Sequence, residues 1–139
     1  MNQALNPAAA WPLPIGKAEA FRIVPPPLAE GETYIGLIGN AAGEAHHVIL
    51  LPGDNDEANH EAALEWAKSI GGDLPTRIEQ AMLWANHKDL FQKDWYWSNE
   101  THSADPVYAW CQYFDYGNQL NGRKCYELRA RAVRRLIIE

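Results

Sequence analysis

The chain has 139 residues, a formal net charge of −6 and 47% hydrophobic residues, a composition typical of one folded globular domain. The negative charge argues against nucleic acid or an anionic membrane as a partner, and two cysteines are too few for a disulfide framework. No run approaches the roughly 18 consecutive apolar residues of a membrane-spanning helix.

Residues 1–31 are predicted to be an extended, proline-rich arm in front of a domain at 32–139. Six of the nine prolines lie in this arm, and proline fixes φ and lacks an amide donor. Because no basic start precedes an apolar run, we expect synthesis in a bacterial host cytoplasm, with or without later incorporation into a virion. The arm is expected to dock on its own domain or on a second subunit, and so to support a homo-oligomer or virion assembly, through Trp11, Leu13, Ile15, Phe21 and Ile23.

The first half of the domain predicts a hairpin followed by two helices. Strands are expected at 34–38 and 48–51, joined through Gly43. A first helix is expected at about 56–70, capped by Asp54 or Asn55 and stopped by two glycines.

The second helix is predicted from a capping box. Thr76 and Glu79 have the spacing at which each side chain bonds the other's backbone amide, which starts a helix running to about residue 87. Its periodicity predicts an inward face made of Ile78, Ala81, Met82 and Ala85.

The last third predicts β-structure at 95–98, 108–114 and 128–138, with turns at 115–117 and 121–122. In the first strand the two tryptophans are expected on one face, and in the second Tyr108, Trp110, Gln112 and Phe114 should share a face. Strands, two helices and then strands indicate an α+β fold with mixed or antiparallel sheets, in which we expect the first and last strands to be paired.

Four motifs occur in order: GDLPTRIE at 72–79, WYWS at 95–98, YAW with FDYG between 108 and 117, and RAVR at 131–134. In this order the sequence resembles the DUF1566 family, a C-type-lectin-like group common in phage genomes and in some bacterial surface proteins. The resemblance covers about residues 45–137. It implies a C-type-lectin-like fold, a bacteriophage or prophage origin and a role in binding.

The residues argue against two activities of related folds. No Glu-Pro-Asn, Gln-Pro-Asp or Trp-Asn-Asp triplet is present to bind calcium. Formylglycine-generating enzymes use paired cysteines, whereas Cys111 and Cys125 are expected to be small core residues of strands. We therefore expect no enzyme activity, no cofactor and no metal. The histidines lack zinc-site spacing and are expected at or near the surface: His46, His47, His60, His87 and His102.

Six basic residues lie between 123 and 135. Two interpretations are open, an anionic partner or a solvated strand offset by acids elsewhere, and the overall acidity favours the second. Either Arg131 or Arg134 is expected to turn inward and pair with a carboxylate such as Glu79.

The predicted binding surface combines a loop at 99–107 with a turn at 115–123, where polar and small residues alternate with tyrosine. Two functions remain open. The first is a non-enzymatic, phage-encoded binding module, virion- or tail-associated, that recognises a protein or a surface glycan. The second is an intracellular phage accessory protein that blocks a host enzyme or defence complex. The apolar arm favours the first. The candidate binding residues are Tyr116, Asn118, Asn121, Arg123, His102 and Asp105.

Overall fold

The computed structural model describes residue 16 and residues 23–139. The predictions for Trp11, Leu13, Ile15 and Phe21 lie outside the described residues. Within them the fold is α+β as predicted, with two helices and eight strands in two sheets. The elements are β1 Thr33–Gly39, β2 Ala45–Leu50, β3 Asn55–Ala58, α1 His60–Ser69, α2 Arg77–His87, β4 Trp95–Thr101, β5 Tyr108–Tyr113, β6 Gln119–Arg123, β7 Leu128–Ala130 and β8 Val133–Ile138.

The small sheet has the order β1-β2-β8, with both pairings antiparallel. The prediction that the first and last strands share a sheet is confirmed, but they are not paired, because β2 lies between them. The reason is the continuous apolar run in β2: Val48, Ile49 and Leu50 are all buried. A strand buried on both faces fits the centre of a sheet.

The large sheet has the order β3-β7-β4-β5-β6. The single strand predicted at 128–138 is wrong, because the chain leaves the large sheet after β7 and enters the small one at β8. At the crossing, the amide of Leu51 donates to the carbonyl of Ala132 over 2.9 Å. The turn predicted at 121–122 is also wrong, since Asn121 and Gly122 lie within β6, and the chain turns at 124–126.

The first helix begins later than predicted. Asn59 caps α1 by accepting from the amide of Ala62 over 2.9 Å, whereas residues 55–58 form β3, which pairs with β7. The amide of Gly72 donates to the carbonyl of Ala67, so the predicted glycine stop is confirmed.

The capping box of α2 is confirmed. Its predicted inward face is wrong for Ile78, Ala81 and Ala85, which are exposed, whereas Met82 packs against a core cluster as predicted. The side chain of Thr76 accepts from the amide of Glu79, and that of Glu79 accepts from the amide of Thr76. Ile78 is 67% exposed, and the buried residues of the helix are Glu79, Gln80 and Leu83. A charged residue faces inward because Arg135 of β8 pairs with it there.

The large sheet separates two apolar clusters. Trp97, Ala109 and Cys111 belong to the cluster that includes residues of α1, while Tyr96 and Phe114 belong to the cluster with Leu83 of α2. The predicted alternation of the aromatic strand is therefore confirmed. Neither of the two described helices is long and apolar enough to cross a membrane.

Candidate functional site

The structure divides the predicted binding residues between the two ends of the β5-β6 hairpin. Tyr116 and Asn118 lie in the connection between the strands, whereas Arg123 pairs with Tyr108 at the far end. Five residues of strand separate the ends by about 16 Å. Asn121 lies on β6 between them, so these side chains do not converge on one surface.

The candidates of the 102–107 loop bond mainly to the loop itself. The Nδ1 atom of His102 accepts from the amides of Ala104 and Asp105, and the carboxylate of Asp105 accepts from the amide of Val107. These bonds order the loop from within. The His102 ring also stacks on Trp110, with the ring centroids 5.8 Å apart.

Arg77 joins the first turn of α2 to three strands of the large sheet. Its guanidinium carbon lies 3.5 Å from the ring centroid of Trp110 on β5. Its amide donates to Glu100 of β4 over 2.8 Å, and its Nε donates to the side-chain oxygen of Gln119 on β6 over 2.9 Å. The capping box fixes where α2 begins, and therefore places Arg77 over the sheet.

Gln119 and Gln112 extend the hydrogen-bond network of Arg77. The Nε2 atom of Gln119 donates to the carbonyl of Arg77 and to Oε1 of Gln112, both over 2.9 Å. Gln112 is only 1% exposed. Its own Nε2 is enclosed and makes no hydrogen bond within the described part of the chain. Because leaving such a group unpaired costs about 1–3 kcal/mol, this nitrogen is the most unusual polar atom of the site.

These side chains surround a cleft of about 390 Å³, which we name the Arg77 cleft. Gly117 forms one wall at φ 85°, and a Cβ there would lie 2.6 Å from the ring of Trp84. The cleft offers one guanidinium, one carboxylate and two amides, so its formal charges balance. Its lining residues are Arg77, Ile78, Ala81, Glu100, Gln112, Gly117 and Gln119.

The predicted basic strip does not form one cationic surface. Arg129 pairs with Asp54 and Asp94, and Arg134 pairs with Glu32. Glu79 contacts Arg135 and His46, so the expectation that Arg131 or Arg134 would pair with it is wrong.

Arg131 donates instead to the carbonyls of Leu51 and Leu90, near the crossing between the sheets. Arg123 lies with its guanidinium carbon 5.8 Å from the centroid of the Tyr108 ring. Arg129, Arg134 and Arg135 all pair with acids. These pairs favour the second interpretation of the basic residues, a solvated strand offset by carboxylates elsewhere in the fold.

Two of the histidines are buried, contrary to prediction. His60 bonds the carbonyl of Ser98 over 2.8 Å, and burial lowers its pKa. His47 bonds the hydroxyl of Tyr34 over 2.8 Å. Among residue 16 and residues 23–139, no group of three or more His, Cys, Asp or Glu side chains is placed to hold a metal ion.

The two cysteines have different environments. Cys111 is buried in β5 as predicted, and burial raises the pKa of its thiol to about 12. Cys125 was expected in a strand but lies exposed in the turn after β6. Both are free thiols.

No family model matches the sequence, and no curated protein matches it. The resemblance to the DUF1566 family therefore rests on the four motifs.

Sequence reasoning did not find Arg77 as a site residue. Glu100 and Gln119 lie within the predicted ranges 99–107 and 115–123 but were not among the named candidates. Gln112 could have indicated the site, because it is a polar residue between Trp110 and Phe114 on a strand face that is otherwise aromatic.

Proposed function

We propose that the protein is a non-enzymatic recognition module of the phage type that its motifs resemble, associated with a virion or tail. Its ligand in this proposal is a surface glycan of the bacterial host, bound in the Arg77 cleft. The observation that carries the proposal is the Nε2 atom of Gln112, a lining residue of the cleft; this nitrogen is buried and makes no hydrogen bond within the described residues. A ligand oxygen that reaches this nitrogen from the cleft would satisfy it.

A glycan fits the cleft because each sugar hydroxyl both donates and accepts hydrogen bonds. Arg77 and Gln112 supply donors, and Glu100 supplies an acceptor, without a net charge that would demand an ionic ligand. A protein partner is favoured less, since the cores of protein interfaces are rich in aromatic residues, and the described residues that line the cleft include none.

The proposal is tested by binding to immobilised lipopolysaccharide, capsular polysaccharide and peptidoglycan fragments. The wild type should bind at least one of them, and Arg77→Ala and Glu100→Gln should each weaken that binding about tenfold or more, as expected for loss of a buried hydrogen bond to a charged group. Arg123→Ala and Glu65→Gln are the matched controls, because both side chains are exposed and neither lines the cleft. Urea denaturation would verify that every variant is folded.

Two results would overturn the proposal. One is a wild type that binds none of the glycans and captures only a protein from host extract, as the intracellular accessory role requires. The other is a loss of glycan binding in Arg123→Ala with full binding in Arg77→Ala, which would place the ligand at the opposite end of the β5-β6 hairpin.

A further inference from the structure

We infer that the Arg77 cleft recognises the acetamido group of an N-acetylated amino sugar. The inference rests on the proposed glycan recognition and names the ligand class of the same site. It follows from the direction of each hydrogen bond around Gln112 and from the two apolar side chains beside it.

The hydrogen-bond polarity of the cleft is set by Arg77. Its Nε can only donate, and its carbonyl can only accept, so Gln119 must direct its oxygen to the first and its nitrogen to the second. The same nitrogen of Gln119 also donates to Gln112, which must present its oxygen there. The remaining polar atom of Gln112 is Nε2, which can only donate, so a ligand atom that pairs with it must be an acceptor.

Two more groups complete the recognition. One carboxylate oxygen of Glu100 accepts from the amide of Arg77, and the other is available to accept from a ligand donor. Ile78, which is exposed, and Ala81 form an apolar part of the lining. An acetamido group carries a carbonyl acceptor, an N–H donor and a methyl group, which match the amide of Gln112, the carboxylate of Glu100 and these apolar side chains in turn.

A sugar with a plain hydroxyl at the same carbon matches this set only in part. The hydroxyl can accept from Gln112 or donate to Glu100, but it has no methyl group to cover Ile78. A free amine is protonated near neutral pH and cannot accept from Gln112 at all. The cleft should therefore prefer an acetamido group to either a hydroxyl or an ammonium group, since neither of these supplies the acceptor, the donor and the methyl group together.

The test is calorimetric titration of the full chain with triacetylchitotriose and with cellotriose, two trisaccharides that differ in the acetamido groups. Triacetylchitotriose should bind about tenfold tighter or more, because cellotriose offers a single hydroxyl in place of the carbonyl, the N–H and the methyl group. Gln112→Glu replaces the donor by an acceptor of the same shape and should abolish the preference. Gln92→Glu, an exposed change away from the cleft, should retain it.

A second variant guards against misfolding of Gln112→Glu. Ile78→Ser alters an exposed side chain and should reduce affinity for triacetylchitotriose severalfold while leaving cellotriose unchanged. Equal affinity of the wild type for both sugars, or a preference for triacetylchitotriose that survives both cleft variants, would overturn the inference. Either result leaves glycan recognition standing if Arg77→Ala still weakens binding, whereas failure of all glycans to bind would end both proposals.

Discussion

Arg135 on β8 donates two hydrogen bonds, of 2.6 and 2.8 Å, to the fully buried carboxylate of Glu79 on α2. Burial alone would raise the pKa of this carboxyl, but the bonds from Arg135 and from the amide of Thr76 outweigh burial and lower the pKa. The pair joins the small sheet to the inward face of the helix.

We expect Arg135→Ala to lower the free energy of unfolding by about 3–5 kcal/mol, because it leaves Glu79 buried without its cation. Urea denaturation measures the change. Arg134→Ala is the matched control one residue away, and its less buried pair with Glu32 should contribute less. Equal midpoint shifts for the two variants would contradict the importance of the buried pair.

Thr76→Ala should destabilise the protein by about 1 kcal/mol, because it leaves the amide of Glu79 without its cap. Thr76→Ser keeps the hydroxyl and should retain most of the stability. The urea midpoints of both variants decide this, and identical midpoints for Thr76→Ala and wild type would show that the cap contributes nothing to α2.

The Glu32–Arg134 pair should make stability depend on pH in the acid range. The hydrogen bond from Arg134 holds the pKa of Glu32 at about 2, below its ordinary value of 4.5. A carboxyl with a lower pKa in the folded state adds stability above its unfolded pKa, and this is lost as the pH falls from 4.5 toward 2. The stability difference between wild type and Glu32→Gln should therefore be constant near neutral pH and close over that range. A difference that widens on acidification would contradict the pairing.

The sequence predicted those features of the fold that depend only on residues close together in the chain. The capping box at Thr76 and the glycine stop after α1 depend on neighbours within a few residues, and both predictions are confirmed. The inward face of α2 depends instead on Arg135, which is 56 residues from Glu79. No helical period reveals a partner at that distance.

The cleft could not be predicted from the sequence because it, too, depends on contacts between residues far apart in the chain. The alternation in β5 correctly placed Trp110 and Gln112 on one face. The contact of Arg77 with Gln119 spans 42 residues and requires the relative position of α2 and β6. Tyr116 was predicted as a binding residue because it is an aromatic residue in a connection between strands. It is 78% exposed, but its ring contacts Tyr113 and does not line the cleft.

Gly117→Ala and Gly43→Ala should separate two costs of adding a methyl group. Both glycines have positive φ, at 85° and 87°, and each substitution should cost about 1 kcal/mol for that backbone conformation. Only at Gly117 would the new Cβ meet the Trp84 ring, at 2.6 Å, while Gly43 faces open space. Overpacking should add about 1–3 kcal/mol at Gly117. Equal unfolding energies for the two variants would mean that Trp84 moves aside freely.

Thiol labelling should distinguish the two cysteines. Cys125 is exposed, whereas Cys111 is buried and has a pKa of about 12, so its reactive thiolate is scarce at neutral pH. One thiol per native chain should react rapidly with Ellman's reagent, and two after unfolding in urea. In Cys125→Ser the rapid reaction should disappear. Two rapid thiols in the native wild type would contradict the burial of Cys111.

The central position of β2 in the small sheet has a consequence for the order of folding. Residues paired between β2 and β8 are 83 to 93 positions apart in the chain, whereas β1 and β2 form a local hairpin. Contacts this distant raise the contact order and slow folding, because a long loop must close before they form. During synthesis the apolar run 48–50 therefore has one edge open until residues 133–138 have left the ribosome. During that interval the open edge of β2 can pair with another copy of the chain.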